Sequence, residues 1–355
     1  MKKRNRIFSL VMAGAMALSM TACGSEAASD NTGAAAGTEA NNAPAAEQTA
    51  EAGTSDGQKY TIGILQQLEH PALDAATQGF EDALTELLGA DNVKFDLQNA
   101  QGEQANCATI ANNFVASDYD LILANATTAL QCAAAATSTI PILGTSVTDY
   151  ATALEIDDWT GSTGRNISGT SDLAPLEEQE AMIKELIPDA KTVGVLYCSA
   201  ESNSVLQADM AKEACKAAGL EAADYTVSSS NEIQTVVESM IGKVDVIYAP
   251  TDNMIAAGMA TVAMIANENK IPIICGEEGM VKEGGLATYG INYYELGYKT
   301  GEMAAKILTE GADPASMPIE YLSTEECSLL INKETADTLG IDVSSYDADS
   351  LYTAE

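Results

Sequence analysis

LILANATTALQCAAAATSTIPILG (Leu121–Gly144) reads as a strand, a helix and a second strand. Leu121 to Asn125 is a short apolar run, too brief for a helix. Thr128 to Ala136 is alanine-rich and long enough for about two and a half helical turns. Ile140 to Gly144 returns to strand character. Apolar strands separated by a helix of this length imply a parallel sheet with both faces covered. Upstream, Thr61–Gln66 and Val93–Gln98 read as strands, with helices at Pro71–Leu88 (proline in its first turn) and Glu103–Val115. Downstream the order repeats. Strands are expected at Thr192–Tyr197, Tyr225–Ser228, Val244–Ala249 and Ile271–Cys275, with helices at Ser204–Ala218, Glu232–Ile241 and Asn253–Asn267. Ile271-Pro-Ile-Ile-Cys275 occupies the place of Ile140-Pro-Ile-Leu-Gly144. The fold class is therefore α/β, with two doubly wound parallel-sheet lobes joined by a multi-strand hinge.

The remaining pattern extends past two complete lobes. A strand at Leu286–Ile291, a helix at Tyr294–Leu308, short strands at Ile319–Leu322 and Leu329–Ile331 and a helix at Lys333–Leu339 imply repeated crossings. Residues 59–172 with 290–317 are assigned to one lobe, and 173–289 with 318–355 to the other. In such sheets ligands sit beyond the carboxyl ends of the strands, so facing lobes form a cleft closed by hinge motion.

The amino-terminal end bears on location. Lys2, Lys3, Arg4 and Arg6 precede an uncharged apolar stretch from Ile7 to Ser19, then Met20-Thr21-Ala22-Cys23. This resembles a signal peptide (residues 1–22) with a lipobox, which implies lipidation at Cys23 and an extracytoplasmic, membrane-anchored location. Residues 23–58 are rich in Ala, Gly, Ser, Thr and Asn without one aromatic, as in a disordered tether. The first six residues hold four of the 17 basic residues, so the remainder carries 13 basic against 52 acidic residues, a formal net of −39. Such a field disfavours nucleic acid and anionic lipid. With one histidine and no CxxC, neither a metal site nor a cofactor is expected, and no motif supports catalysis. The six further cysteines show no disulfide framework and read mostly as buried core residues.

Polar loops follow the expected strands. They contribute Glu69 and His70, Thr127 and Thr128, Thr145 and Ser146, then Ser202, Asn203 and Ser204, Asp252 and Asn253, and Glu278. Several run into helices, whose amino termini favour carboxylates, while Asp252, Glu69 or Glu278 could receive an ammonium group. Residues such as Asn203, Asp252 and Thr127 are equally plain helix caps. Tyr293 is expected to face the hinge and ligand, whereas Tyr294 and Tyr298, at helical spacing, read as packing residues. Trp159 is a stacking platform or, more commonly, a loop anchor.

The segments EHPALDAATQGF (Glu69–Phe80), NISGTSDLAPLEEQ (Asn166–Gln179), SAESNSVLQ (Ser199–Gln207), PTDNMI (Pro250–Ile255) and YGINYYELGYKTGEMAAKIL (Tyr289–Leu308) resemble ABC transporter substrate-binding lipoproteins of the tryptophan/tyrosine-importer type. The resemblance spans roughly residues 60–339. It implies a type I periplasmic-binding-protein fold with three hinge crossings, an aromatic amino acid as ligand, and a permease and ATPase as partners. It also implies that Asn203-Ser204 and Thr127-Thr128 hold the α-carboxylate and Asp252-Asn253 the ammonium, with Glu69-His70 opposite. Two departures stand out: Asn125-Ala-Thr-Thr128 lacks a proline frequent in relatives, and Gly144 replaces a bulkier residue, both expected to alter the pocket wall. The alternatives are a sugar or nucleoside carrier of the same fold, or a ligand-sensing adhesin not coupled to transport. One tryptophan and four phenylalanines are a poor supply of stacking surfaces for sugars.

Overall fold

A computed structural model describes residues 59–322 and 327–354, with only the backbone of Glu177. The expected signal segment, Cys23 and the tether to residue 58 lie outside the described residues.

The chain first lays down β1 (Tyr60–Gln66), β2 (Val93–Asn99), β3 (Leu121–Asn125), β4 (Ile142–Val147) and β5 (Ile167–Ser171). These are connected by α1 (Pro71–Leu88), α2 (Gln104–Ala116), α3 (Thr127–Ala136) and α4 (Tyr150–Ala153). It then crosses to α5 (Leu176–Leu186) and the second set, β6 (Thr192–Cys198), β7 (Glu221–Val227), β8 (Val246–Ala249), β9 (Ile273–Cys275) and β10 (Ala287–Ile291). Between these strands lie α6 (Ser202–Ala217), α7 (Ile233–Met240), α8 (Asn253–Ala257), α9 (Met259–Glu268) and α10 (Glu278–Lys282). The carboxyl-terminal part adds α11 (Tyr293–Glu310), β11 (Glu320–Tyr321), β12 (Cys327–Asn332), α12 (Lys333–Leu339) and β13 (Leu351–Tyr352).

One sheet has the order β2-β1-β3-β4-β5-β11 and the other β7-β6-β8-β9-β10-β12-β13. The first five strands of each follow the same order, so the repeat seen in the sequence is a repeat of topology. All neighbours are parallel except β10 and β12. β3 and β8 are buried along their whole length, which is why they read as short apolar runs; β4 is equally buried although it contains Gly144, Thr145 and Ser146.

Sheet membership shifts the expected lobe boundaries. Gly290 and Ile291 belong to the second sheet, and Glu320–Tyr321 pair with β5 in the first. The third crossing therefore follows Tyr321 instead of beginning at residue 318; a two-residue strand leaves no periodic trace. β5 was not anticipated either. Its Gly169 adopts φ +145°, and a Cβ there would meet the Gly144 carbonyl at 2.1 Å. A strand that must approach its neighbour this closely loses the apolar pattern by which strands are read. The expected helix 253–267 divides into α8 and α9 at Gly258, where a Cβ would strike Ile233 at 2.4 Å.

α1 and α11 cross almost in backbone contact. A Cβ at Gly297 would lie 1.9 Å from the Ala76 carbonyl oxygen, and one at Gly79 2.1 Å from that of Tyr294. Five of the six described cysteines are buried, and the thiols of Cys107 and Cys132 hydrogen-bond across the α2–α3 interface. Trp159 packs against the first lobe's core, the anchoring alternative.

Candidate functional site

His70 closes the chain's exit from β1 and begins α1 on the first lobe. Ser146 ends β4, Asp172 follows β5 on the first crossing, and Tyr293 begins α11 just past the second. Asn203 opens α6, Thr251, Asp252 and Asn253 follow β8, and Glu277 follows β9. All of these, with Leu73 and Ala256, line one cavity between the carboxyl ends of the two sheets. Almost no free space remains inside it, far less than the roughly 300–1,000 Å³ of ordinary ligand pockets. The lobes are closed on each other. His70 Nε2 lies 3.2 Å from Asn253 Oδ1, and Gln207 Nε2 donates to Thr148 Oγ1 at 3.4 Å. Gln131 Nε2 reaches Ser202 Oγ at 3.5 Å.

The lining is acidic, and no lysine or arginine contributes to it. Asp252 and Glu277 spend their oxygens locally. Asp252 Oδ1 accepts from the Ile255 N–H at 2.8 Å and Oδ2 from the Cys198 N–H at 2.6 Å. Glu277 caps α10 through the Gly279 and Met280 N–H groups. Glu201, behind the lining, accepts from Asn253 Nδ2 at 2.6 Å. Asp172 differs: Oδ2 accepts from the Tyr293 hydroxyl at 2.6 Å, while Oδ1 is buried without a hydrogen bond of good geometry, the Thr148 side chain lying near the carboxyl. Burial pushes all four carboxyls up, Glu277 to about 7. Burial likewise pulls His70 below its ordinary value, against opposing effects of Asn253 and Asp74.

Three more buried atoms without partners belong to cavity residues: His70 Nδ1, Ser146 Oγ and Asn203 Oδ1. Buried polar groups are normally paired, so this density of uncommitted donors and acceptors marks a ligand site. Ser146 and Ala126 adopt φ +55° and +91°, conformations rare for side-chain-bearing residues and concentrated at functional sites.

The sequence-expected residues divide clearly. His70, Ser146, Asn203, Asp252, Asn253 and Tyr293 meet at the cavity. Ser204 lies just behind, bonded to Asn203 and Asp252, and Ser202 faces Gln131 of the other lobe. Thr127 is buried at the start of α3, and the Thr128 N–H donates to Gln67 Oε1. Three expected residues lie away from the cavity. Glu69 is exposed, and the next residue, His70, is the one that lines the cavity ahead of Pro71. Glu278 points away to Lys282 (3.1 Å) and Ser328, since its neighbour Glu277 takes the capping position. Thr145 faces the sheet's other side, where it joins Thr170 and Thr300 in a hydroxyl chain. Gly144 does not shape the cavity wall; a Cβ there would lie 2.3 Å from the Tyr150 hydroxyl, so the missing side chain makes room for Tyr150.

Asp172, Thr251 and Glu277 were missed. Asp172 follows a strand that the glycines concealed, although it sits inside the quoted segment Asn166–Gln179. Gln179, from the same segment, is structural: it donates to the Gly276 and Tyr289 carbonyls and accepts from Tyr248. Among the described residues no cluster of metal-ligating side chains and no membrane-crossing helix is found.

Comparison with known proteins agrees with this arrangement. The family model for ABC transporter substrate binding proteins matches residues 61–347. A tyrosine-binding protein of Clostridioides difficile is 39% identical over 99% of this chain and 96% of its own. A crystal structure of an ABC domain from Streptococcus pneumoniae in complex with L-Trp superposes with TM-score 0.77, at 37% identity over 82% of this chain and 97% of that one. A ligand-free, open substrate-binding protein with adhesive properties from Clostridium difficile is 40% identical, covering 83% and 100%, yet superposes less well, with TM-score 0.64. The better overlay on the ligand-bound relative accords with the closed cleft described above. This chain belongs to the family of ABC transporter substrate-binding proteins.

Proposed function

We propose that this protein captures an aromatic amino acid as its zwitterion outside the cell, is held at the membrane by lipidation at Cys23, and delivers the ligand unchanged to a permease driven by an ATPase. The observation that carries the ligand class is Asp172. A buried carboxylate with one oxygen unpaired, in a cavity without lysine or arginine, calls for a cation from the ligand. The uncommitted polar atoms of Ser146, Thr127 and Asn203 supply hydrogen-bonding partners for the α-carboxylate. Together they describe a ligand that is both cationic and anionic. The tyrosine-binding and tryptophan-bound relatives support an aromatic side chain. The adhesive relative favours surface attachment as a second role beside uptake.

The test is a thermal-shift screen of the purified protein against amino acids, sugars and nucleosides, with calorimetry on each hit. Stabilisation by about 2.7 kcal/mol is expected at a hundredfold excess of ligand over Kd. Only aromatic amino acids should give it. Asp172→Asn keeps an acceptor for Tyr293 but removes the charge, and should weaken binding at least about 30-fold, the equivalent of ~2 kcal/mol or more. Stabilisation by sugars or nucleosides alone would overturn the ligand assignment.

A further inference from the structure

The geometry points to His70 as the residue that reads the ligand's ring: its Nδ1 accepts a hydrogen bond from a ring-borne O–H or N–H, admitting tyrosine and tryptophan and disfavouring phenylalanine. This inference rests on the amino-acid reading above and narrows it.

Glu201 Oε2 receives the Asn253 backbone N–H at 3.4 Å and the Asn253 side-chain Nδ2 at 2.6 Å. A backbone N–H can only donate, so Oε2 accepts, and the amide presents its NH2 to the same oxygen. Asn253 Oδ1 is thereby directed at the first lobe, where it meets His70 Nε2 at 3.2 Å. An amide oxygen only accepts, so Nε2 carries the proton. Burial keeps the imidazole neutral, and a neutral ring protonated at Nε2 has a bare lone pair at Nδ1. That atom is buried and has no partner among the described residues.

Nδ1 is therefore an acceptor, and the ligand has to bring the donor. The ligand's ammonium is drawn to Asp172, because a carboxylate attracts a cation more strongly than a neutral ring nitrogen does. The Tyr293 hydroxyl is already committed to Asp172. With the ammonium at Asp172, the donor assigned to His70 is on the ligand's side chain. Tyrosine offers a phenolic O–H and tryptophan an indole N–H, both able to donate; phenylalanine offers neither. A ligand that leaves a buried acceptor unpaired loses affinity, and sites built around such a bond discriminate strongly.

Calorimetry with L-tyrosine, L-tryptophan and L-phenylalanine tests this directly. The unmodified protein should prefer tyrosine and tryptophan over phenylalanine by about 10–100-fold. His70→Phe should collapse the tyrosine-to-phenylalanine ratio toward one. A general folding defect weakens both ligands together and leaves the ratio alone. His70 is also the sole histidine, so its imidazole nitrogens can be followed by 15N NMR in the unaltered chain. The ligand-free spectrum should show the Nε2-protonated form, and tyrosine, but not phenylalanine, should shift Nδ1 toward a hydrogen-bonded value. Equal affinities for tyrosine and phenylalanine, an unchanged ratio in the variant, or the opposite tautomer would overturn the inference while leaving the amino-acid reading intact. Failure of all three amino acids to bind would instead remove both.

Discussion

Asp252 and Asp172 illustrate how alike two buried aspartates can look in a sequence and how differently they are used. Asp252 precedes a helix and has both oxygens engaged by backbone N–H groups, so it holds the second lobe's loops in place. Asp172 leaves an oxygen for the ligand. The two roles separate experimentally. Asp252→Ala removes a cap and strands the Cys198 N–H, and should lower stability by about 2 kcal/mol in denaturant titrations. Asp172→Asn should change affinity with little change in the denaturation midpoint. Gly144 makes a second residue-scale case. Gly144→Ala forces a methyl against the Tyr150 hydroxyl and should cost about 1–3 kcal/mol; adding Tyr150→Phe should recover part of that loss, as thermal melts of both variants would show. The candidate site was partly legible because polar residues at strand ends stand out against apolar neighbours. What could not be read was direction: Thr145 and Ser146 are adjacent and similar, but one faces the α11 hydroxyl chain and the other the cavity.

At the level of elements, alternation of strands and helices was plain wherever burial imposed an unbroken apolar run, as in β3 and β8. It failed where close approach replaced side chains with glycine, as in β5, and where an element was too short for a period, as in β11. The α1–α11 crossing depends on that same close approach. Its glycines lie at helical spacing, Gly297 and Gly301 on one helix and Gly79 on the other, and bring the backbones within reach of each other's carbonyls. Because a backbone carbonyl cannot swing aside as a side chain can, Gly297→Ala should separate the helices. A loss of roughly 2–3 kcal/mol is expected, seen as a lower melting temperature, despite alanine's better helix propensity.

Across the whole molecule the paired lobes make closure and charge a single problem. Asp172 and Tyr293 join the first two crossings through their 2.6 Å bond, so a cation at Asp172 acts on the hinge itself. Burial in the fold also raises the affinity of four carboxyls for protons. Protons therefore favour the folded form: for Glu277 that support is full below the usual carboxylate range and is lost as pH rises through about 7. His70 works the other way, supporting the fold less as pH falls below its ordinary value. Denaturant titrations should show Glu277→Gln gaining stability relative to the unmodified protein as pH rises from about 5 to about 8. The central claim is that the closed cleft recognises both charges of an amino acid. Calorimetry comparing L-tyrosine with its des-amino analogue, 3-(4-hydroxyphenyl)propionate, tests it most directly. The structure predicts tight binding of tyrosine and loss of at least about 30-fold without the ammonium; equal binding of the two would contradict it.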